Sequence, residues 1–501
     1  MTFIMLVTSL IIAQSSQILY GEISMMKETI FREYDIRGLV DDELIIDDVY
    51  DLGLATAFYL KQLNHNVKTV AVGMDGRESS PAIKEQMCKA LIDSGMDVVF
   101  VGVCSSPMIY FTTHTMPVDA AVMVTASHNP KEYNGLKILL GTHSLWGAQI
   151  KELGKLYFSK KRITSATKGT YREHLIKDDY IAWHVDEFAH LKNAAIAAVI
   201  DCGNGAAGVV IPDIVEKMGW KNAQLLCAEV DGTFPNHEAD PTHIKNMQHV
   251  LHALQTTDAT VGIGFDGDAD RMGAMTKEGE LVPGDKMIAL FAQPMIKEYP
   301  GMTVVYNVVC SEGLTELLEK WGAKTVVTPV GHSIIEESMQ KNNAMLGGET
   351  SCHFFFRDRH FGYDDGVYAM FRLIELLVQS QKAKSDGASA KTELMELLKV
   401  FPHKVTSPEY RIACAEDIKH KVVEGVKDLF AQQKNVKLIT IDGVKVITDY
   451  GWGLVRASNT QPVLSIRFEA NTQEDLEHVK EDFINVLAHF MDEKVLREQL
   501  K

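Results

Sequence analysis

Positive charge is what this chain has least of for its size. Its 501 residues carry 50 Lys and Arg against 67 Asp and Glu, a net −17 with histidine neutral. Binding along a nucleic acid or an anionic membrane needs an excess of cations, so the balance argues against both partners. A small anionic substrate is still allowed, because a local cationic pocket can sit in an acidic protein. Cysteine is sparse as well. The seven residues Cys88, Cys104, Cys202, Cys227, Cys310, Cys352 and Cys414 are scattered, odd in number and form no CxxC pair. That speaks against a disulfide framework or a zinc pattern and for a reduced, cytoplasmic enzyme. Long apolar runs are missing but for one. Phe3–Ala13 is short for a membrane span, and no Lys or Arg precedes Lys27, so the positive flank of a secretory signal is absent. Met25 and Met26 open a stretch that reads as an ordinary start. Residues 1–25 are therefore expected to be a leader upstream of the true start, with export the lesser alternative.

What is there is α/β layering. At 501 residues the chain is too long for one core and is expected to form three or four domains. Strand-like runs fall at Thr69–Val72, Val98–Val101, Ala121–Val124, Ala197–Ile200, Thr260–Ile263, Thr303–Val305 and Thr325–Val327. Amphipathic helices such as Ser80–Ser94 and Gly313–Trp321 alternate with them. The divisions read as 26–180, 181–284, 285–400 and 401–501. The stretch Gln381–Lys391 reads as a solvated loop, and Phe401-Pro402 and Ser407-Pro408 punctuate the chain. After them the pattern becomes strand, helix, strand, strand, helix, a smaller α+β unit. There is no short-period repeat. The three α/β units are of similar size, which is compatible with divergent copies.

Four loops carry the chemistry. Thr125-Ala126-Ser127-His128-Asn129-Pro130 follows a buried strand, so Ser127 is expected to be held rigid and exposed, as a phosphoryl-accepting nucleophile must be. Standing alone, the same residues would more often be a plain turn. Asp266-Gly267-Asp268-Ala269-Asp270-Arg271 puts three carboxylates at alternate positions, converging if the segment is extended. Hard oxygens suit Mg²⁺. An EF-hand is ruled out because Arg271 stands in the sixth position and Lys277 in the twelfth. Arg456-Ala457-Ser458-Asn459-Thr460-Gln461-Pro462 offers an Arg fork, hydroxyls and an amide for a phosphate. Gly347-Gly348-Glu349-Thr350-Ser351-Cys352-His353 offers close backbone approach and groups for sugar hydroxyls. A lone His353 beside Phe354–Phe356 would more often be a satisfied, half-buried histidine.

In this order the four segments resemble the α-D-phosphohexomutase superfamily, nearest its bacterial phosphomannomutase/phosphoglucomutase members, from about Lys27 onward. Further matching pieces are Phe31–Gly38, Gly73–Ser80, Asn134–Lys137, Phe234–His237 with Asp240-Pro241, Thr328–His332 and Phe361–Gly366. The resemblance implies three related α/β domains and a TATA-box-binding-protein-like α+β domain around a central cleft. It implies Ser127 as the phosphoserine, with Asp266, Asp268 and Asp270 holding one Mg²⁺ to which a phosphoserine oxygen adds a ligand. Glu349 and Ser351 would read sugar hydroxyls. Arg456, Ser458, Asn459 and Thr460 would hold the non-reacting phosphate. Arg37, Lys137 and His353 would lie near the transferred group, and Arg271 and His332 would contact ligand. Two positions depart from the family pattern: Val309, where many relatives have lysine, and Cys352, where many have glycine.

The activity so implied is interconversion of hexose 1-phosphate and hexose 6-phosphate, of mannose or glucose, through a hexose 1,6-bisphosphate that also serves as activator. Lys137 beside a second cation would have a lowered pKa and could shuttle protons. The C-terminal domain is expected to close as a lid. A monomer or homodimer is expected. The alternatives are phosphoglucosamine mutase, away from which Thr125 leans, and a non-catalytic sugar-phosphate-binding homologue.

Overall fold

A computed structural model describes residues 25–384, 394–458 and 462–500. Most of the leader, Asn459 and Thr460 lie outside the described residues. All seven strand-like runs form strands, as Thr69–Met74, Asp97–Val103, Ala120–Val124, Ala198–Asp201, Val261–Phe265, Thr303–Asn307 and Lys324–Thr328. The runs Ala120–Val124 and Val261–Phe265 are buried at every residue. That is why they read as unbroken apolar sequence: parallel sheets are covered on both faces.

Four sheets result. The first three repeat one arrangement. A central strand pairs in parallel with the next strand on one side and with the one after on the other; this third strand then turns back as an antiparallel neighbour. In the first sheet these are Thr69–Met74, Asp97–Val103, Ala120–Val124 and Tyr133–Leu140. In the second they are Ala198–Asp201, Ala223–Leu226, Val261–Phe265 and Met272–Thr276. In the third they are Thr303–Asn307, Lys324–Thr328, Leu346–Gly348 and Phe354–Phe356. The return turn sits at the carboxyl end of the third strand, where open α/β sheets bind ligands. It carries Ser127 in the first sheet, the Asp266–Asp270 run in the second and Glu349–His353 in the third. Each turn holds one non-glycine residue in the left-handed region: Ser127 at φ 52°, Ala269 at 59° and Cys352 at 68°.

The fourth sheet is antiparallel in every pairing and is backed by Lys419–Phe430 and Gln473–Leu487. It has more strands than the sequence pattern suggested. Val405–Thr406 and Tyr410–Ala413 both pair with Val463–Ala470 ahead of the first helix, and four strands follow it. The helix Gly366–Lys384 also runs into the stretch expected to be a loop, whose residues from 385 to 391 lie outside the described ones.

The third and fourth sheets meet through Val308 and Val309, which pack on Trp452 and Leu454. The Arg467 guanidinium donates to the Val309 carbonyl at 3.2 Å, and Lys445 donates to those of Val308 and Cys310. The departure at Val309 thus has a packing role. No described helix is long and apolar enough to cross a membrane.

Candidate active site

The serine turn is built around Arg77, whose side chain is 1% exposed. Its guanidinium donates to the carbonyls of Ser127, Asn129, Pro130 and Tyr133 at 2.7–3.0 Å. Asp75 pairs with Arg77 from below at 3.1 Å. The four carbonyls converge on one planar fork, a geometry that lysine could not satisfy. Sequence reasoning gave Arg77 no role. The signal was there in the Gly73–Ser80 motif, an arginine at the carboxyl end of a central strand.

The metal-type turn is not extended. Asp266–Asp270 makes a tight turn with Ala269 at φ 59°, and this turn brings the three carboxylates together. Oxygens of Asp266, Asp268 and Asp270 lie within 4.8 Å of one another. The turn also touches the serine turn. A Cβ on Gly267 would stand 2.3 Å from the Ser127 carbonyl oxygen, so only glycine permits this approach.

The approach places the Ser127 hydroxyl 2.9 Å from Asp266 Oδ2, to which it donates, and 3.2 Å from His128 Nδ1. Ser127 is buried beneath these loops, contrary to the expectation of an exposed hydroxyl. Lys137 Nζ lies 2.7 Å from Asp268 Oδ2 and 2.6 Å from Asp270 Oδ2, and 3.1 Å from the Ser106 hydroxyl, which itself donates to Asp268 Oδ2. Burial favours the neutral amine, but Asp268 and Asp270 overcome it and hold Lys137 well above the usual lysine range. The expected lowering is thereby corrected: the immediate neighbours are two carboxylates, not a second cation.

Among the described residues, one oxygen each of Asp268 and Asp270 is buried without a hydrogen-bond partner, and the Asp266 carboxylate accepts from the Ser127 hydroxyl and the Arg271 amide. Burial, then Asp270 and Asp268, raise Asp266 well above the carboxylate range. Buried carboxylates so close together repel unless a cation lies among them. The donor set is all hard oxygen, which fits Mg²⁺.

The Glu349–His353 turn docks against this cluster. Arg271 and His353 form an antiparallel bridge, and the Met272 amide donates to the Cys352 carbonyl at 3.1 Å. His353 Nε2 stands 3.3 Å from Asp270 Oδ1 and 3.2 Å from Arg271 Nε, while its Nδ1 is 3.0 Å from Glu349 Oε2. Burial favours neutral His353, but Asp270 and Glu349 outweigh it and raise the ring to about 10. Burial would raise Glu349, but His353, the Gly331 amide and the Asn307 amide bring it down to about 2. Ser351 Oγ lies 3.5 Å from Glu349 Oε2 and 3.2 Å from His353 Nδ1. His332 faces His353 with ring centroids 5.7 Å apart, and its Nδ1 is 3.5 Å from Asp364 Oδ2, a residue sequence reasoning did not single out. Burial, then Lys137, lower His332 to about 3.

Arg37 reaches the serine turn by donating to Asn129 Oδ1 at 2.8 Å, while pairing with Asp35. Arg456 stands in the fourth sheet, where it pairs with Asp442 at 2.9 Å; Asp442 also accepts from the Val330 amide. The Ser458 carbonyl accepts from Lys419, and Asn459 and Thr460 lie outside the described residues.

Four family models match the chain in order. These are the phosphoglucomutase/phosphomannomutase alpha/beta/alpha domains I, II and III over residues 28–162, 171–279 and 283–395, and the C-terminal domain over 409–486. A phosphomannomutase/phosphoglucomutase of Pseudomonas syringae pv. tomato is 40% identical over 457 residues, covering 91% of this chain and 94% of the relative. A phosphoglucomutase of Neisseria gonorrhoeae is 37% identical over 460 residues, covering 91% and 96%. A phosphoglucomutase/phosphomannomutase family protein of Burkholderia thailandensis has a crystal structure that superposes with a TM-score of 0.83 at 32% identity, covering 93% of this chain and 98% of that one.

Proposed function

This chain belongs to the phosphoglucomutase/phosphomannomutase family, and from that premise we propose that its hexose-phosphate mutase activity runs through a phosphoryl group carried on Ser127. The observation that carries the reading is the Ser127 hydroxyl 2.9 Å from Asp266 Oδ2, at the edge of three buried carboxylates.

The family is metal-dependent. In this chain Asp266, Asp268 and Asp270 would hold the ion, which we take to be Mg²⁺ from their all-oxygen chemistry. When bound it would offset negative charge on the phosphoryl oxygens.

The substrate hydroxyl attacks the phosphorus of phosphoserine. The new P–O bond forms as the P–Oγ bond breaks, and the product is a hexose 1,6-bisphosphate. The hydroxyl proton must go to a base and the departing Oγ must receive one. His128 Nδ1 stands 3.2 Å from Oγ, a little farther than Asp266 Oδ2, and burial holds it far below the usual histidine range, so it is neutral and able to accept the Oγ proton when Ser127 takes up phosphate again. Arg37, Lys137 and Arg271 supply positive charge around the transfer, and His353 is protonated at neutral pH and fit to donate. After the bisphosphate turns over, its other phosphate returns to Ser127.

Glu349 and Ser351 would read the ring hydroxyls, beside His332. Arg456, Ser458, Asn459 and Thr460 would take the phosphate that is not reacting. An Arg fork with hydroxyls reads phosphate and ignores the ring, so it accepts either end of the sugar. The substrates we assign are mannose and glucose phosphates, by the relatives' names. Retaining the bisphosphate calls for the C-terminal domain to close over it.

Intact-mass spectrometry of the purified protein tests the serine assignment. We expect a species heavier by one phosphate, about 80 Da, absent from Ser127→Ala, with turnover of glucose 1-phosphate lost by at least about 1,000-fold in that variant. Full turnover in Ser127→Ala ends the proposal.

A further inference from the structure

A second group of metal-type side chains lies under the sugar turn. His184 comes from the helix Lys177–Glu187, which follows the edge strand Tyr171–Glu173 of the first sheet. His360 and Asp365 come from the loop between Phe354–Phe356 and the helix Gly366–Lys384 of the third sheet unit. Their donor atoms all lie within 4.8 Å of one another. The side chains of His184 and His360 are 0% exposed and that of Asp365 is 1% exposed.

Three of the four imidazole nitrogens here have no hydrogen-bond partner among the described residues. His184 Nδ1 is fixed 2.9 Å from the Tyr180 carbonyl, which needs its proton there and leaves Nε2 with a bare lone pair. That Nε2 points at Asp365 Oδ2 from 3.7 Å without a hydrogen bond. His360 Nε2 stands 3.5 Å from the same oxygen, and both His360 nitrogens are buried without a hydrogen-bond partner. Asp365 is an anion, anchored by the Tyr180 hydroxyl at 2.8 Å and the Tyr368 amide at 2.8 Å. Its ion-pair neighbours among the described residues are those two histidines alone. Trp183 and Tyr368 pack on His360 at 5.5 and 4.3 Å, and Phe371 stacks on His184 at 5.7 Å, which keeps the pocket apolar around its donors.

We propose that His184, His360 and Asp365 form a second metal site that takes a borderline divalent transition ion, zinc foremost. Two imidazole nitrogens and one carboxylate are a transition-metal donor set, unlike the all-oxygen cluster at Ser127. Bonds of about 2.0–2.2 Å place adjacent ligand atoms roughly 3.3–3.6 Å apart in a tetrahedral shell. The edges of 3.5 and 3.7 Å are close to that spacing, whereas they are too long or misdirected for hydrogen bonds. The Tyr180 carbonyl supplies the outer-shell partner that metal-binding histidines use to fix their tautomer. The ion ties the helix leaving the first sheet to the loop that carries Asp364, 3.5 Å from His332. Its role is structural: it fixes the floor of the sugar turn.

The test uses full-length protein expressed with zinc, then dialysed against EDTA and into metal-free buffer, and counted by elemental analysis. About one zinc per chain is expected to remain in wild type and in Asp268→Asn, and less than about a tenth in His360→Phe. X-ray absorption at the zinc edge is expected to show imidazole scattering. Wild type is expected to lose several degrees of thermal stability when a strong chelator strips the ion under denaturant, and His360→Phe is not. Should His360→Phe fail to fold, His184→Gln replaces it. Zinc below about a tenth of an equivalent in wild type, zinc fully retained in the histidine variant, or a spectrum of oxygen ligands alone each overturns the proposal; the first means that a buried water fills the pocket instead.

Discussion

The Ser127 hydroxyl donates to Asp266 Oδ2 at 2.9 Å, across 139 positions of sequence. Two turns of the same topological kind, from different sheets, are thus pressed together at their tips. The arrangement makes Asp266 sensitive to charge more than to shape. Asp266→Asn keeps the side chain's size and an acceptor for Ser127, but removes one negative charge from the cluster. We expect kcat to fall about 100-fold or more with little change in KM. The Mg²⁺ concentration for half-maximal activity should rise in a titration of the variant. An unchanged Mg²⁺ dependence would show that Asp266 serves only to hold the serine.

Contact between the turns passes through Gly267. A methyl there would lie 2.3 Å from the Ser127 carbonyl oxygen, which is backbone and cannot swing away. Gly267→Ala should therefore push the two turns apart by a few tenths of an ångström while leaving the sheets intact. Because phosphoryl transfer depends on positioning, we expect kcat to drop at least about tenfold with far-ultraviolet circular dichroism unchanged. Wild-type kcat in this variant would mean that the approach is not needed for turnover.

Arg77 carries the other side of the serine turn. Removing its fork leaves four carbonyls and Asp75 without their common donor. Arg77→Lys retains the charge but satisfies at most part of that set. We expect a loss of about 2–4 kcal/mol in denaturant unfolding, and a lower phosphate content at Ser127 by intact mass. Stability within about 0.5 kcal/mol of wild type would contradict the account.

These three residues show what sequence can and cannot carry. The turns were legible because each follows an apolar strand and concentrates one chemistry: a hydroxyl, three carboxylates, or Glu with His. The sheets were legible because fully buried parallel strands are unbroken apolar runs. The meeting of the turns was not legible, since it depends on pairs such as Lys137 and Asp268, 131 positions apart. For the same reason the direction of the Lys137 shift was misread. Its neighbours come from another sheet and are anions. Cys352 shows the converse. The sequence marks it only as a departure from glycine. The backbone, at φ 68°, explains the glycine elsewhere, because L side chains enter that region at a cost. Arg77 has its only sequence signal in its place within the Gly73–Ser80 motif, because its four carbonyl partners lie 50–56 positions away.

A last expectation concerns pH and lies away from the Asp266–Asp270 carboxylates. His237 Nε2 pairs with Asp201 Oδ2 at 3.0 Å, its Nδ1 is 2.9 Å from the Glu238 carbonyl, and Cys227 Sγ lies 3.9 Å away. Burial alone would lower the ring. The Asp201 hydrogen bond, with those of Cys227 and Glu238, outweighs burial and raises His237 to about 10. The folded protein therefore binds this proton more tightly than the unfolded chain, whose histidine titrates near 6.5. Stability from the pair is complete below about pH 6.5 and is lost as pH climbs toward 10. His237→Gln should be less stable than wild type by about 1–2 kcal/mol at pH 6, after allowance for solvent screening. The two proteins should converge by about pH 10 in denaturant unfolding across the range. A gap that is constant with pH would mean that His237 contributes packing and not charge. A gap that widens as pH rises would reverse the sign and place the charge pair elsewhere.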